Sequence, residues 1–173
     1  KLMESAVCSI IFDVLCALVY IHGKGIVHCD IKPANIFLSL CHGKLGDFGI
    51  ASSDIGSKSA KGSLAYQPPE CIVSPKYDIW SVGVTTTELL LGGSAFRNLN
   101  IFEIHHFLSS FVENSNPDFS KQCLHFIRDC LAENPTKRPN ASNLIQYDWF
   151  ASAKDSGFEV AKLMHFLAIP SCF

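Results

Sequence analysis

Two carboxylates, an amide and a lysine lie close together in the chain and have side chains that could do chemistry. They are Asp30, Lys32, Asn35 and Asp47. Carboxylate and amide oxygens are the ligands that a hard cation such as Mg²⁺ takes, and a positioned carboxylate can accept a proton from a reacting group. Taken singly, each has a plainer interpretation, because Asp and Asn in polar loops usually form turns or cap helices.

Their neighbours form four short stretches, and the order of these stretches is more specific than any one of them. They are residues 28–35 (HCDIKPAN), 47–49 (DFG), 62–70 (GSLAYQPPE) and 78–83 (DIWSVG), with Arg138 far downstream. This set resembles the signatures H-R-D-x-K-x-x-N, D-F-G and A-P-E of the protein kinase family. The resemblance covers about residues 5–150. It implies a mainly α-helical kinase large lobe with a few short strands around the catalytic loop.

The resemblance implies a role for each candidate residue. Asp30 matches the base that orients a substrate hydroxyl and accepts its proton, and Lys32 matches the lysine that contacts the transferring phosphate in serine/threonine kinases. Asn35 and Asp47 match the two metal ligands, and Phe37 matches the residue under the adenine ring. The resemblance implies two cofactors, ATP and Mg²⁺. The residues implied to bind ATP are Lys32, Asn35, Phe37 and Asp47. The implied partner is a protein substrate with a Ser or Thr hydroxyl.

Other matches in the same set are structural. Glu70 and Arg138 match a buried ion pair that ties the activation segment to the helical lobe, and Asp78 matches a carboxylate that holds the catalytic-loop backbone. His28 and Phe48 are as well explained by core packing as by catalysis.

The chain departs from the family pattern at Cys29, where most of these kinases have arginine. That arginine pairs with a phosphate on the activation segment, and cysteine offers no charge. In this departure and in residues 67–70 (QPPE), the chain is similar to the liver kinase upstream of the AMP-activated kinase. That similarity implies an activating protein partner.

A second departure concerns the parts that cover the nucleotide. The 173 residues contain neither a G-x-G-x-x-G loop nor a V-A-I-K strand, which hold the phosphates in line. We therefore expect residues 1–150 to be the carboxy-terminal lobe of a kinase domain, without its amino-terminal lobe, and residues 151–173 to be an extension of unknown role. The chain is then either part of a longer kinase or a natural truncation, and alone it should turn over weakly.

Two functions from different classes fit these observations. The first is a serine/threonine protein kinase that transfers the γ-phosphoryl group of ATP. The second is an inactive pseudokinase or scaffold that regulates an intact kinase. A small-molecule kinase is disfavoured by the long segment between Asp47 and Glu70.

Composition narrows the remaining classes. A net charge of −2 gives no basic surface that would indicate nucleic-acid binding. The sequence has no uninterrupted apolar run of about 18 residues, so it predicts no membrane span. The eight cysteines lack zinc-ligand spacing, and several lie in apolar stretches typical of buried thiols in a reducing compartment. We expect a cytoplasmic protein, with the nucleus as an alternative.

Hydrophobic periodicity predicts the elements that position the four stretches. Apolar residues three and four apart from Val7 to Ile21 indicate an amphipathic helix, and short apolar pieces in 26–46 indicate strands and loops. Residues 51–63 are predicted to form a mobile, solvated surface segment. A strongly apolar helix is expected over 77–91 as the spine of the lobe, and further helices over 100–112, 119–132 and 140–147.

The absence of a charge at Cys29 yields a first prediction. Phosphomimetic substitution of Ser57, Ser59 or Ser63 should not activate the protein, because no arginine at position 29 can pair with the added charge. The measurement is the phosphoryl-transfer rate of each Ser→Glu variant beside its Ser→Ala control. An increase of about tenfold or more in any Glu variant would contradict the prediction.

Overall fold

The computed structural model describes residues 2–39, 42–58, 62–93, 95–114 and 116–151. Expectations for Ser59 and for the extension beyond residue 151 lie outside the described residues. The fold is mainly helical, as the sequence predicts. The five α-helices of the described ranges are α1 Glu4–His22, α2 Pro75–Leu91, α3 Ile101–Glu113, α4 Lys121–Cys130 and α5 Ala141–Leu144.

Helix α1 begins after Met3 and ends at His22, directly before Gly23, as its apolar periodicity and the glycine predict. Its buried face includes Val7, Ile11 and Leu18, which are fully buried in the main core. By length and composition this helix would be able to cross a membrane, with a mean hydropathy of 2.0. However, 10 of its 19 residues are buried inside the protein, a property that α1 shares with the core helices of globular domains.

Helix α2 is the spine that the sequence predicts, since 12 of its 17 residues are buried. It starts two residues before the predicted range, because Pro75 suits the first turn of a helix. Gly83 lets α4 approach closely: a Cβ there would lie 2.8 Å from Cβ of Cys130. Thr86 and Thr87 fit inside the buried helix because their hydroxyls donate to carbonyls one turn earlier, at 2.7 and 3.0 Å.

The short strands are β1 Ile36–Ser39 and β2 His42–Leu45, an antiparallel pair in which Phe37 faces Lys44. Val27, a predicted strand residue, forms a single bridge to Ser52 instead of a longer strand. Single 3₁₀ turns cover Pro33–Asn35, Leu64–Tyr66, Pro135–Lys137 and Asp148–Phe150.

The later helices agree with the prediction in kind but differ in extent. Helix α3 begins one residue late because Asn100 and Glu103 form a capping box before it. Helix α5 is only four residues long, against the predicted eight. Its last turn gives way to the 3₁₀ turn that buries Trp149 and Phe150, so core packing overrides the local periodicity.

The cysteines of the described ranges are thiols, as predicted. Cys8, Cys29, Cys123 and Cys130 are buried, and Cys16 is exposed. Burial, with a smaller contribution from Glu4, raises the pKa of the Cys8 thiol to about 12. Such thiols are protonated at neutral pH and serve as core residues.

The predicted ion pair of Glu70 and Arg138 is confirmed. Nη1 and Nη2 of the buried Arg138 lie 2.6 and 2.9 Å from the two carboxylate oxygens of Glu70. The guanidinium also donates to the carbonyls of Ala132, Lys76 and Glu133. Residues 47–70 match the activation segment of the kinase pattern and are given that name below; Arg138 fixes the end of this segment to the helical part of the chain.

Removal of one partner should destabilise this region strongly. Glu70→Ala leaves the buried Arg138 charge without its carboxylate, and we expect a loss of ~3–5 kcal/mol in the free energy of unfolding. Urea denaturation measures it. Glu133→Ala is the matched control, because its exposed side chain is lost while its carbonyl stays in place. Equal losses in the two variants would contradict the prediction.

Candidate functional site

Residues 28–35 match the catalytic loop of the kinase pattern and are called the catalytic loop below; Asp78 of helix α2 holds the start of this loop. The fully buried carboxylate of Asp78 accepts the backbone N–H groups of His28 and Cys29 at 2.8 and 2.9 Å. It also accepts a hydrogen bond from Nε2 of His22, at the end of α1, at 2.8 Å. This is the structural role predicted for Asp78, and it sets the starting position of the loop.

His28 connects this loop to the segment before Asp47. Its ring donates from Nε2 to the carbonyl of Gly46 at 3.0 Å and accepts the N–H of Asp30 at Nδ1 at 3.3 Å. The ring is fully buried and packs edge-on against Phe48, with 4.8 Å between ring centroids. Core packing is therefore the role that the structure gives to His28, whereas Phe48 packs on the His28 ring but is 46% exposed.

Asp30 is the centre of a hydrogen-bonded cluster. Nζ of Lys32 donates to its Oδ2 at 2.7 Å, and Nδ2 of Asn35 donates to the same oxygen at 2.9 Å. The N–H of Ser63 donates to Oδ1 at 2.9 Å. The structure thus brings three of the sequence-predicted residues, Asp30, Lys32 and Asn35, into direct contact.

These contacts set the charge of Asp30. Burial alone raises the pKa of this carboxyl, but the hydrogen bonds from Lys32, Ser63 and Asn35 outweigh burial and lower the pKa below its ordinary value. Asp30 is therefore ionised at neutral pH. An ionised, oriented carboxylate is suited to hold a hydroxyl group and to receive its proton.

Ser63 is a site residue that sequence reasoning missed. Its Oγ accepts a hydrogen bond from Lys32 at 2.8 Å while its N–H binds Asp30. The expectation of a solvated loop is wrong for Ser63, which is half-buried. The signal in the sequence was the glycine before it. Gly62 has φ +90°, and a Cβ there would lie 2.4 Å from the carbonyl oxygen of Cys29.

The residues after Ser63 are anchored to helix α2. The hydroxyl of Tyr66 donates to Oε2 of Glu88 at 2.5 Å, and Oγ of Ser81 donates to the carbonyl of Tyr66 at 2.8 Å. Burial raises the pKa of Glu88, partly offset by the hydrogen bond from Tyr66. The same helix therefore positions both the catalytic loop and the segment that lies against it.

Phe37 and Asp47 adjoin the cluster around Asp30. Gly46 links them: its N–H donates to the carbonyl of Asn35 at 2.9 Å, and a Cβ on it would lie 2.7 Å from the ring of Phe37. Asp47 follows with φ +59° and is exposed. Phe37 is also exposed, at 57% of its surface. Both side chains are thus accessible beside the cluster.

Comparison with known proteins identifies the family. Residues 1–150 match the protein kinase domain. The chain belongs to the protein kinase family. It is 36% identical over 157 residues to "3-phosphoinositide-dependent protein kinase B" of Dictyostelium discoideum, covering 83% of this chain and 17% of that protein.

Other kinases are similar at the same level. "Serine/threonine-protein kinase pakE" of Dictyostelium discoideum is 34% identical, over 87% of this chain and 18% of the relative. "Aurora kinase" of Schizosaccharomyces pombe is 31% identical, over 90% of this chain and 46% of the relative. The chain thus spans less than half the length of these three kinases.

Asn35 and Asp47 fit a magnesium ion by the chemistry of their donor atoms. Both amide hydrogens of Asn35 are directed at Asp30, at its carbonyl and at Oδ2, so the amide oxygen is the atom that Asn35 can offer to a metal. Asp47 offers carboxylate oxygens. Oxygen ligands of this kind, one or two from the protein, are those that Mg²⁺ takes in sites that also bind phosphates.

The close contact at Gly62 yields a prediction for the site. Gly62→Ala should displace Ser63 from Asp30, since a Cβ cannot lie 2.4 Å from a carbonyl oxygen. We expect hydrogen exchange at the Ser63 amide to accelerate by about tenfold or more, measured by NMR. Gly56→Ala is the matched control, because Gly56 also has a positive φ, +93°, but nothing lies within 4 Å of its Cβ position. Unchanged exchange at Ser63 in Gly62→Ala would contradict the prediction.

Proposed function

We propose that this chain, a member of the protein kinase family, belongs to a serine/threonine protein kinase. That kinase transfers the γ-phosphoryl group of ATP to a protein hydroxyl. The observation that carries the proposal is the cluster around Asp30, in which one ionised carboxylate is oriented by Lys32, Asn35 and Ser63 together. A scaffold does not require this arrangement, whereas phosphoryl transfer depends on positioned charges.

Each residue of the site has a proposed task. Asp30 orients the substrate hydroxyl and accepts its proton, a contribution of ~10²–10⁴-fold in rate. Lys32 lies 2.7 Å from Asp30, so its cation is placed to contact the phosphoryl group as it passes to that hydroxyl. Asn35 and Asp47 hold Mg²⁺, which when bound neutralises the charge of the phosphates. Phe37 supports the adenine ring with its exposed face.

The choice of Ser and Thr hydroxyls rests on Lys32. A lysine two residues after the base resembles the serine/threonine pattern. The similarity to pakE, which is named a serine/threonine-protein kinase, supports the same substrate class.

The organisation of the active protein is part of the proposal. We assign residues 1–150 to the carboxy-terminal lobe and residues 151–173 to an extension. Efficient turnover then needs the parts that cover the nucleotide, the glycine-rich loop and the V-A-I-K strand. Cys29 and residues 67–70 (QPPE) support kinship with the liver kinase upstream of the AMP-activated kinase, and with it an activating protein partner. We place the protein in the cytoplasm.

The test is Asp30→Asn in the endogenous gene. The protein is isolated with an antibody against residues 51–76, its intact mass is determined, and phosphoryl transfer from labelled ATP to protein is measured. We expect a fall of ~10²–10⁴-fold in rate, because the amide cannot accept the proton. Asp54→Asn is the control, because it makes the same substitution at an exposed carboxylate outside residues 28–35 and should leave the rate unchanged.

The alternative, a pseudokinase or scaffold, makes the opposite prediction. In that case the wild-type protein shows no transfer, and the Asp30→Asn cells keep the biological effect of the protein. An endogenous mass near 19.0 kDa combined with that result would replace the kinase proposal.

A further inference from the structure

Cys29 is buried in a small apolar cluster that lies apart from the main core. Its side chain is only 2% exposed and packs with Val27, Val73 and Tyr77, which are equally buried, and with the half-buried Ile50. These residues come from separate parts of the chain. Val27 and Cys29 precede Asp30, Ile50 follows the DFG stretch, Val73 follows Glu70, and Tyr77 lies on helix α2.

Backbone pairing joins the same parts of the chain. Val27 and Ser52 exchange two hydrogen bonds, each of 2.8 Å. The N–H of Gly56 donates to the carbonyl of Val73 at 2.8 Å, and the N–H of Val73 donates to the carbonyl of Ser57 at 2.9 Å. An antiparallel bridge between Lys58 and Ile72 continues this pairing.

Val73 connects the two kinds of contact. Its side chain lies in the cluster with Cys29, and its backbone holds both Gly56 and Ser57. Displacement of the Val73 side chain would therefore also disturb the pairing of residues 56–58. The side chains of the cluster are aliphatic, a thiol and a phenol, and the thiol of Cys29 also donates to the carbonyl of Val27 at 3.7 Å. The cluster therefore needs no ion pair.

We propose that a charge-free latch, made of the Cys29 cluster and the pairing of residues 56–58 with 72–73, fixes residues 50–58 on the catalytic loop without a phosphate group. The latch accounts for what takes the place of the missing arginine at position 29. It lies directly beside Asp30, because Cys29 and Asp30 are consecutive residues. The start of the activation segment is thereby ordered in the unmodified protein.

The test is amide hydrogen exchange, followed by NMR, on the unphosphorylated 173-residue chain. In the wild type the amides of Ser52, Gly56 and Val73 should be protected, because they donate backbone hydrogen bonds to Val27, Val73 and Ser57. Cys29→Arg should accelerate exchange at these amides by ~10-fold or more, since a guanidinium in the cluster must displace Val73. The amides of Ile79 and Leu15 in the main core serve as the internal reference.

Two controls separate the latch from general effects. Cys16→Arg makes the same substitution at an exposed cysteine on α1 and should leave the latch amides unchanged. If Cys29→Arg also accelerates the core amides, Val73→Ala is the second variant. It shortens the side chain that connects the cluster to the pairing and should accelerate Gly56 by at least ~3-fold with the core unchanged.

The proposal is overturned if Gly56 and Val73 exchange in the unphosphorylated wild type as fast as in the denatured chain. It is also overturned if neither Cys29→Arg nor Val73→Ala changes their exchange. The readout needs no phosphoryl transfer, so failure of the latch and failure of the kinase proposal are distinguishable.

Discussion

The rest of the site depends on the buried carboxylate of Asp78, which fixes the start of the catalytic loop to helix α2. A fully buried carboxylate is costly unless its oxygens accept hydrogen bonds, and here the backbone of His28 and Cys29 and the ring of His22 supply them. The requirement acts in both directions. Helix α2 can bury Asp78 because the catalytic loop lies against it, and the same carboxylate holds the N–H groups of His28 and of Cys29, where φ is +67°.

The other contacts of the site follow from the position of this loop. The fixed loop presents Asp30, and Asp30 in turn holds the N–H of Ser63 from the activation segment. Helix α2 returns further along to hold Tyr66 through Ser81 and Glu88, and Glu70 is held by Arg138. One buried helix thus sets the distance between the two segments that form the site. A shift of α2 would therefore move both Asp30 and Ser63.

The sequence predicts the parts of this arrangement that depend on local spacing. The apolar periodicity of α1 and α2, the pairing of Glu70 with Arg138 and the anchoring by Asp78 are confirmed. The sequence does not predict contacts that depend on where distant segments meet. Ser63 belongs to a stretch rich in small polar residues, so local composition indicated a solvated loop. Only its hydrogen bonds to Asp30 and Lys32, more than thirty positions away, reveal its place. At position 29 the sequence likewise shows a cysteine where the family pattern has arginine, but it does not predict the apolar cluster around the thiol.

The charge of Asp30 limits the part that it can play. Hydrogen bonds from Lys32, Ser63 and Asn35 lower its pKa despite its burial, and a carboxylate with a lowered pKa is a weaker base. Proton transfer is most efficient when the pKa of the base lies near the working pH, so in the role proposed for Asp30 the orientation of the hydroxyl would matter beside the acceptance of its proton. The lowered pKa also links the cluster to folding. The cluster stabilises the folded state fully above the pKa that Asp30 has when unfolded, and this stability is lost as the pH falls through the folded pKa. At neutral pH the carboxylate is therefore ionised, and its oxygens accept hydrogen bonds from Lys32, Asn35 and Ser63.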